Sequence, residues 1–131
     1  MIWSWIPGVL CGPFRFGEPL PPLDIGRLTR LEPSCEGAAW QTYRVGDEEA
    51  RVRVEDGVVT AVECIQSLKF LGRSELLGLP VRAAQELLGA TLVETKRWED
   101  GSAMYEAERL GLTLWVEGER VESATVEACM E

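Results

Sequence analysis

The sequence contains no histidine. This absence excludes Ser-His-Asp and Cys-His nucleophiles, imidazole metal ligands and a histidine-based pH switch. The four cysteines, Cys11, Cys35, Cys64 and Cys129, include no C-x-x-C pair, which excludes the usual small zinc and redox motifs. A G-x-S-x-G elbow and a glycine-rich phosphate loop are also absent. We therefore predict a protein that is not an enzyme and that uses no metal or cofactor.

Long apolar runs and positive charge are scarce as well. No stretch of the 131 residues approaches the roughly 20 apolar residues that a membrane span requires. Residues 1–10 are apolar, but they lack a basic start and contain Pro7 and Gly8, unlike an export signal. Lys and Arg number 13 against 22 Asp and Glu, a net charge of −9, whereas nucleic acid requires a cationic surface. We expect a cytoplasmic protein with reduced cysteines that binds neither nucleic acid nor membrane.

Two parts of the sequence match when one is displaced by 62 positions. Tyr43 then aligns with Tyr105, and Val52 aligns with Leu114. Both segments combine an apolar-Gly step with a tyrosine-bearing strand and two further strands. We predict a single compact domain over residues 1–131 with an internal repeat, residues 14–66 and 75–128.

Period-two alternation predicts strands in both halves. In residues 50–54, small and branched side chains alternate with arginines, and Asp56-Gly57 supplies the turn to a hairpin partner. The second half repeats this arrangement around residues 117–119. The predicted strands comprise residues 40–45, 50–54, 58–65, 92–98, 103–109, 112–116 and 121–128.

One helix is clearly indicated, at about residues 80–88. Pro80 suits a helix start, apolar residues follow at helical spacing, and Gly89 ends the pattern. In the first half, three prolines precede residues 23–31, which have room for about two helical turns. The predicted fold class is α+β, with two related halves of mostly antiparallel strands and one clear helix.

The second half resembles a recurrent bacterial module. The resemblance rests on Leu77-Gly78-Leu79-Pro80, on Leu88-Gly89, on Gly111-Leu112 and on the strand of residues 121–126. In that module a glycine step leads into a helix ending in Leu-Gly, and an antiparallel sheet follows. It occurs in small outer-membrane assembly lipoproteins and, in tandem, in beta-lactamase inhibitory proteins; the chain also resembles small acidic immunity proteins encoded beside bacterial toxins. The resemblance implies that an exposed sheet face or its loops bind a protein partner.

Negative charge is concentrated near the C-terminal end. Residues 94–131 include 10 acidic and 4 basic side chains, against 12 and 9 in the preceding 93 residues. One interpretation is a solvated surface that maintains solubility. The other is an anionic patch that steers and docks a cationic protein surface.

Aromatic residues accompany these acids. Trp115 points away from the core side of its predicted strand, so it is exposed unless a helix covers that face. With Trp98 it would then form an aromatic centre with an anionic rim, which is typical of binding hot spots. The candidate partner-binding residues are Trp98, Glu99, Asp100, Glu106, Glu108, Trp115, Glu117 and Glu119.

These observations favour a cytoplasmic immunity protein. Its basic partner would be a secreted or contact-delivered bacterial toxin, whose active site the acidic and aromatic surface would occlude. Two alternatives stay open. One is a bacterial assembly or regulatory module that binds another protein, and the other is a pocket for a small apolar ligand between the halves.

Overall fold

The computed structural model describes residues 3–21, 28–31 and 40–128. Within these ranges the chain forms short and long strands, one α-helix and one 3₁₀ turn, η1. The elements are, in chain order, β1 (Ser4–Ile6), β2 (Leu10–Cys11), β3 (Phe14–Arg15), β4 (Leu28–Leu31), β5 (Trp40–Val45), β6 (Ala50–Glu55), β7 (Val58–Cys64), β8 (Lys69–Phe70), β9 (Ser74–Glu75), α1 (Val81–Leu88), β10 (Val93–Arg97), β11 (Ala103–Ala107), η1 (Glu108–Leu110), β12 (Leu112–Glu117) and β13 (Arg120–Glu127).

The main feature is an eight-stranded antiparallel sheet in the order β10-β11-β12-β13-β7-β6-β5-β4. Strands β4 to β7 form one meander and β10 to β13 form another. The two meanders join where β7 pairs with β13, which places Cys64 opposite Ala124 and Val62 opposite Val126. A mostly antiparallel sheet with one described helix agrees with the predicted α+β class.

The two meanders share a local irregularity. The register between β6 and β7 shifts between Arg53 and Val54, and the register between β12 and β13 shifts between Trp115 and Val116. These positions are 62 residues apart in the sequence. Each hairpin therefore has a β-bulge or a comparable irregularity at this point of its register.

One face of the large sheet carries the core. Helix α1 and a small sheet, in the order β3-β2-β1-β8-β9, supply residues that pack against this face. The alternation of side chains along each strand determines which face is buried. In β12, Leu112, Leu114 and Val116 are buried, and the residues between them are half-buried. The largest fully buried side chains include Trp3, Trp5, Phe14, Leu68, Leu76, Leu112 and Leu114.

The predicted helix is confirmed. It begins at Val81, directly after Pro80, and it ends at Leu88; the next residue, Gly89, has a φ of 63° in the left-handed region. The N–H of Gly89 donates to the carbonyl of Gln85 at 3.0 Å. The helix buries Ala84 and Leu88 against the sheet.

Other local predictions need correction. Helical turns over residues 23–31 are wrong for the described part, because Leu28–Leu31 forms β4 and Leu28 pairs with Val45. Pairing along a sheet outweighs local propensity there; residues 22–27 lie outside the described part. The strand predicted at 103–109 ends at Ala107, where η1 begins.

Cys11 and Cys64 are buried free thiols. Their sulfur atoms lie 3.4 Å apart and share a hydrogen bond that joins the small sheet to the large one. This hydrogen bond and burial raise the pKa of Cys64 well above its usual value of 9.0. Cys35 and Cys129 lie outside the described residues.

We expect the free energy of unfolding to decrease as the pH rises above about 9. The raised pKa of Cys64 keeps its thiol neutral in the folded state, while the unfolded chain already forms the thiolate. The neutral Cys64 thiol therefore contributes its full stabilisation below the pKa of the unfolded chain. This contribution is lost as the pH rises through the pKa of the folded state. Urea unfolding between pH 7 and 10 tests this, and Cys64→Ala should show a shallower decline. An equal decline would assign the effect to other groups.

A candidate protein-binding face

The sheet face opposite the core, which we call the open face, carries one row of side chains across all eight strands. These side chains are half-buried or exposed, and Val93 at one end is 57% exposed. From β4 to β10 the row consists of Thr29, Arg44, Arg51, Glu63, Thr125, Thr113, Glu106 and Val93.

Two predicted tryptophans meet on this face. The rings of Trp98 and Trp115 lie 4.8 Å apart between centroids at an angle of 50°. Trp115 projects to the open face because its neighbours Leu114 and Val116 point into the core. The Lys96 ammonium lies 4.9 Å from the centroid of Trp98, within cation–π distance. Trp115 is therefore half-buried beside Trp98 on the open face and is not among the buried core residues.

A depression of about 340 Å³ adjoins the tryptophan pair. Its lining combines one carboxylate, three hydroxyl groups, a thioether and an indole. The lining residues are Glu63, Met104, Thr113, Trp115, Ser123 and Thr125.

Four predicted carboxylates lie at the end of the sheet near the tryptophans. Glu99 and Asp100 belong to the turn between β10 and β11, and Glu117 and Glu119 belong to the end of β12 and its turn to β13. Successive turns of an antiparallel meander alternate between the two ends of the sheet, so the β10–β11 and β12–β13 turns lie at the same end. All four side chains are exposed.

Asp100 has a structural task within its turn. Its Oδ1 atom accepts hydrogen bonds from the Ser102 hydroxyl at 2.6 Å and from the Ser102 N–H at 2.9 Å. The two bonds lower the pKa of Asp100, the hydroxyl contributing more. Since Ser102 is 3% exposed, the aspartate holds the turn against the sheet.

The predicted acids Glu106, Glu108 and Glu119 line depressions other than the one beside the tryptophan pair. Glu119 lines a second depression together with Arg82 of α1 and Arg97, which directs it toward the helix side of the sheet. Glu106 lies in the open-face row directly opposite Thr113, and together with Glu108 it lines a groove toward the other end of β11. Of these acids, Glu119 is thus directed toward the helix side, whereas Glu106 stays on the open face.

Basic residues of the open face were not among the sequence candidates. Arg51 pairs with Glu48 at 3.2 Å, and Arg53 pairs with Glu127 at 3.5 Å. The alternation of residues 50–54 already indicates that these arginines share the non-core face. Because Glu127 is neutralised in this way, the excess charge of the C-terminal segment is smaller on this face than its composition suggests.

The described residues include no group of three or more histidine, cysteine or acidic side chains arranged to hold a metal ion. Over the same ranges, no helix has the length and apolar composition needed to cross a membrane. Fold and site define an antiparallel α+β protein with an open, partly aromatic sheet face. No family model, curated protein or solved structure matches the chain.

Proposed function

We propose that this protein is a non-enzymatic inhibitor, a cytoplasmic immunity protein that blocks a cognate bacterial toxin by occluding its active site. The observation that carries the proposal is the pair of half-buried tryptophans, Trp98 and Trp115, on a sheet face away from the core. Large aromatic side chains at a partly exposed position supply the apolar centre that protein-binding hot spots use.

The surrounding charges support a basic partner. Glu99 and Glu117 lie exposed in or beside the two turns at the tryptophan end of the sheet, and the whole chain carries a charge of −9. An anionic rim attracts a cationic surface during diffusion and favours the correct orientation on contact. A toxin that handles phosphates would present such a surface, and a docked sheet face would cover it.

We also propose that the two meanders are related halves of an internal repeat, residues 14–66 and 75–128. Register shifts at positions 62 residues apart in the two meanders support this relation. It agrees with the resemblance to tandem modules of beta-lactamase inhibitory proteins and to the module of small outer-membrane assembly lipoproteins.

The decisive experiment uses the product of the toxin-like gene expected beside this one. We expect the two proteins to co-purify and the present chain to restore growth when both are expressed. Co-purification without growth rescue would instead favour an assembly or regulatory module. A saturable tryptophan quench by a small apolar compound, with no bound protein, would favour a ligand pocket.

Reversing the turn charges should slow association with the partner. In Glu99→Lys/Glu117→Lys, we expect the association rate to fall about ten-fold at low salt and the loss to shrink as salt is added. Asp100 is left intact because it holds its turn. The matched control is Glu18→Lys/Glu86→Lys, which changes the net charge by the same amount. Glu18 is exposed in the segment after β3, and Glu86 is exposed on α1. Equal slowing by both variants in stopped-flow measurements would contradict a localised patch.

A further inference from the structure

Glu63 is a half-buried carboxylate in the depression of the open face. It lies on β7, directly between Arg51 of β6 and Thr125 of β13. Within the described residues, its side chain has no hydrogen-bond or ion-pair partner. A carboxylate that is partly removed from water and lacks a partner gains when a cation reaches it.

The nearest cross-strand cation is already engaged elsewhere. The Arg51 guanidinium binds Glu48 through two atoms, with Nη2–Oε1 at 3.2 Å and Nε–Oε2 at 3.3 Å. This forked contact directs the arginine toward the turn before β6 and away from Glu63. The depression therefore keeps a net negative charge at its floor.

The other side chains that line the depression can accept hydrogen bonds from a long cationic side chain and can pack against its aliphatic part. Thr113, Ser123 and Thr125 bring three hydroxyl groups, none of which bonds to another described residue. Trp115 supplies an aromatic wall two strands away from Glu63, a separation of roughly 10 Å. The neighbouring Trp98 already carries the Lys96 ammonium over its ring.

We propose that this depression receives an arginine side chain of the basic protein partner, an inference that rests on the proposed function. The guanidinium would bind Glu63, donate to the threonine and serine hydroxyls, and lie along the Trp115 ring. Arginine fits better than lysine, because its planar group offers five donors and stacks on aromatic rings. Glu63 is thus an anionic anchor within the open face, in addition to the turn carboxylates at its end.

The test needs no partner protein. Uniformly ¹⁵N-labelled protein is titrated with N-acetyl-arginine amide at constant ionic strength. We expect saturable NMR shifts of the Trp115 indole and of the Thr113, Ser123 and Thr125 amides. N-acetyl-citrulline amide has the same shape without the charge, and it should bind at least about five-fold more weakly.

Variants of the chain assign the effect to one carboxylate. Glu63→Gln should weaken arginine-amide binding about five-fold, while Glu86→Gln, the same change on an exposed residue of α1, should leave it unaltered. Thr125→Val removes one hydroxyl and provides a second variant if Glu63→Gln unfolds.

Several outcomes would overturn the assignment. The assignment is wrong if the NMR shifts do not saturate, or if the citrulline amide binds as tightly as the arginine amide. It is also wrong if Glu63→Gln leaves arginine-amide binding unchanged, or if a neutral sugar such as maltose binds more tightly than the arginine amide. The two proposals fail separately. Arginine-amide binding at Glu63 without a co-purifying toxin would refute the immunity function alone, whereas a bound toxin with an inert depression would refute the arginine site alone.

Discussion

Gly111→Ala is expected to lower the free energy of unfolding by about 3 kcal/mol. Gly111 has a φ of +66°, in the left-handed region that disfavours side chains. A Cβ atom there would lie 2.5 Å from the carbonyl oxygen of Glu127. The neighbouring backbone has little freedom to yield, because the Glu127 N–H donates to the Gly111 carbonyl at 2.7 Å. The backbone strain and the steric overlap therefore both destabilise the folded state, and they loosen the end of β13.

Gly118 offers a matched control for this substitution. Its φ of +59° is nearly the same, but a Cβ atom at Gly118 meets nothing within 4 Å. Gly118→Ala should therefore lower the free energy of unfolding only by the cost of a left-handed backbone conformation, about 1 kcal/mol. Urea unfolding of both variants measures the difference between their free energies of unfolding. We expect the free energy to depend on urea concentration with the same slope in both variants. Equal losses in the two variants would show that Gly111 is not sterically confined.

Much of the sheet was predictable because burial of one face imposes a period of two. In residues 50–54 and 112–116, each apolar residue lies two positions from the next, and both segments are strands. The helix was equally accessible, since Pro80 and Gly89 mark its two ends chemically. These signals are local, and they depend on side chains within one element.

Elements without a local period escaped prediction. Strands β2 and β3 have two residues each, too few for any alternation. Strand β4 lies in a segment whose composition also permits a helix, and only pairing with β5 decides the outcome. The junction of β7 with β13 joins residues about 60 positions apart, and no local pattern specifies such a contact.

The candidate site was partly predictable for the same reason. Alternation along β12 places Trp115 away from the core, but proximity to Trp98 depends on the pairing of three strands. Charge counting grouped Glu119 with the other carboxylates, but the structure directs it toward the helix side of the sheet. Glu63 was missed because its role depends on Arg51 being held by Glu48, a contact between side chains that sequence spacing leaves open.

Trp115→Ala is expected to weaken partner binding about 30-fold or more, which corresponds to at least about 2 kcal/mol. The indole contacts Trp98 and also lines the depression beside Glu63. Its removal takes away the apolar centre and one wall of the arginine site together. The dissociation rate should account for most of the loss, since contacts at the centre of an interface act after docking.

Trp40→Ala is the matched control for Trp115→Ala. Trp40 also lies on the open face, at the far end of the sheet, and is 37% exposed. Its ring contacts the Arg53 guanidinium at 6.0 Å rather than a second tryptophan. Calorimetry and dissociation kinetics on the co-purified partner should show a small effect for Trp40→Ala, with both variants folded by circular dichroism. Equal losses would spread the binding energy over the whole face, and a loss confined to the association rate would assign Trp115 to steering instead of contact.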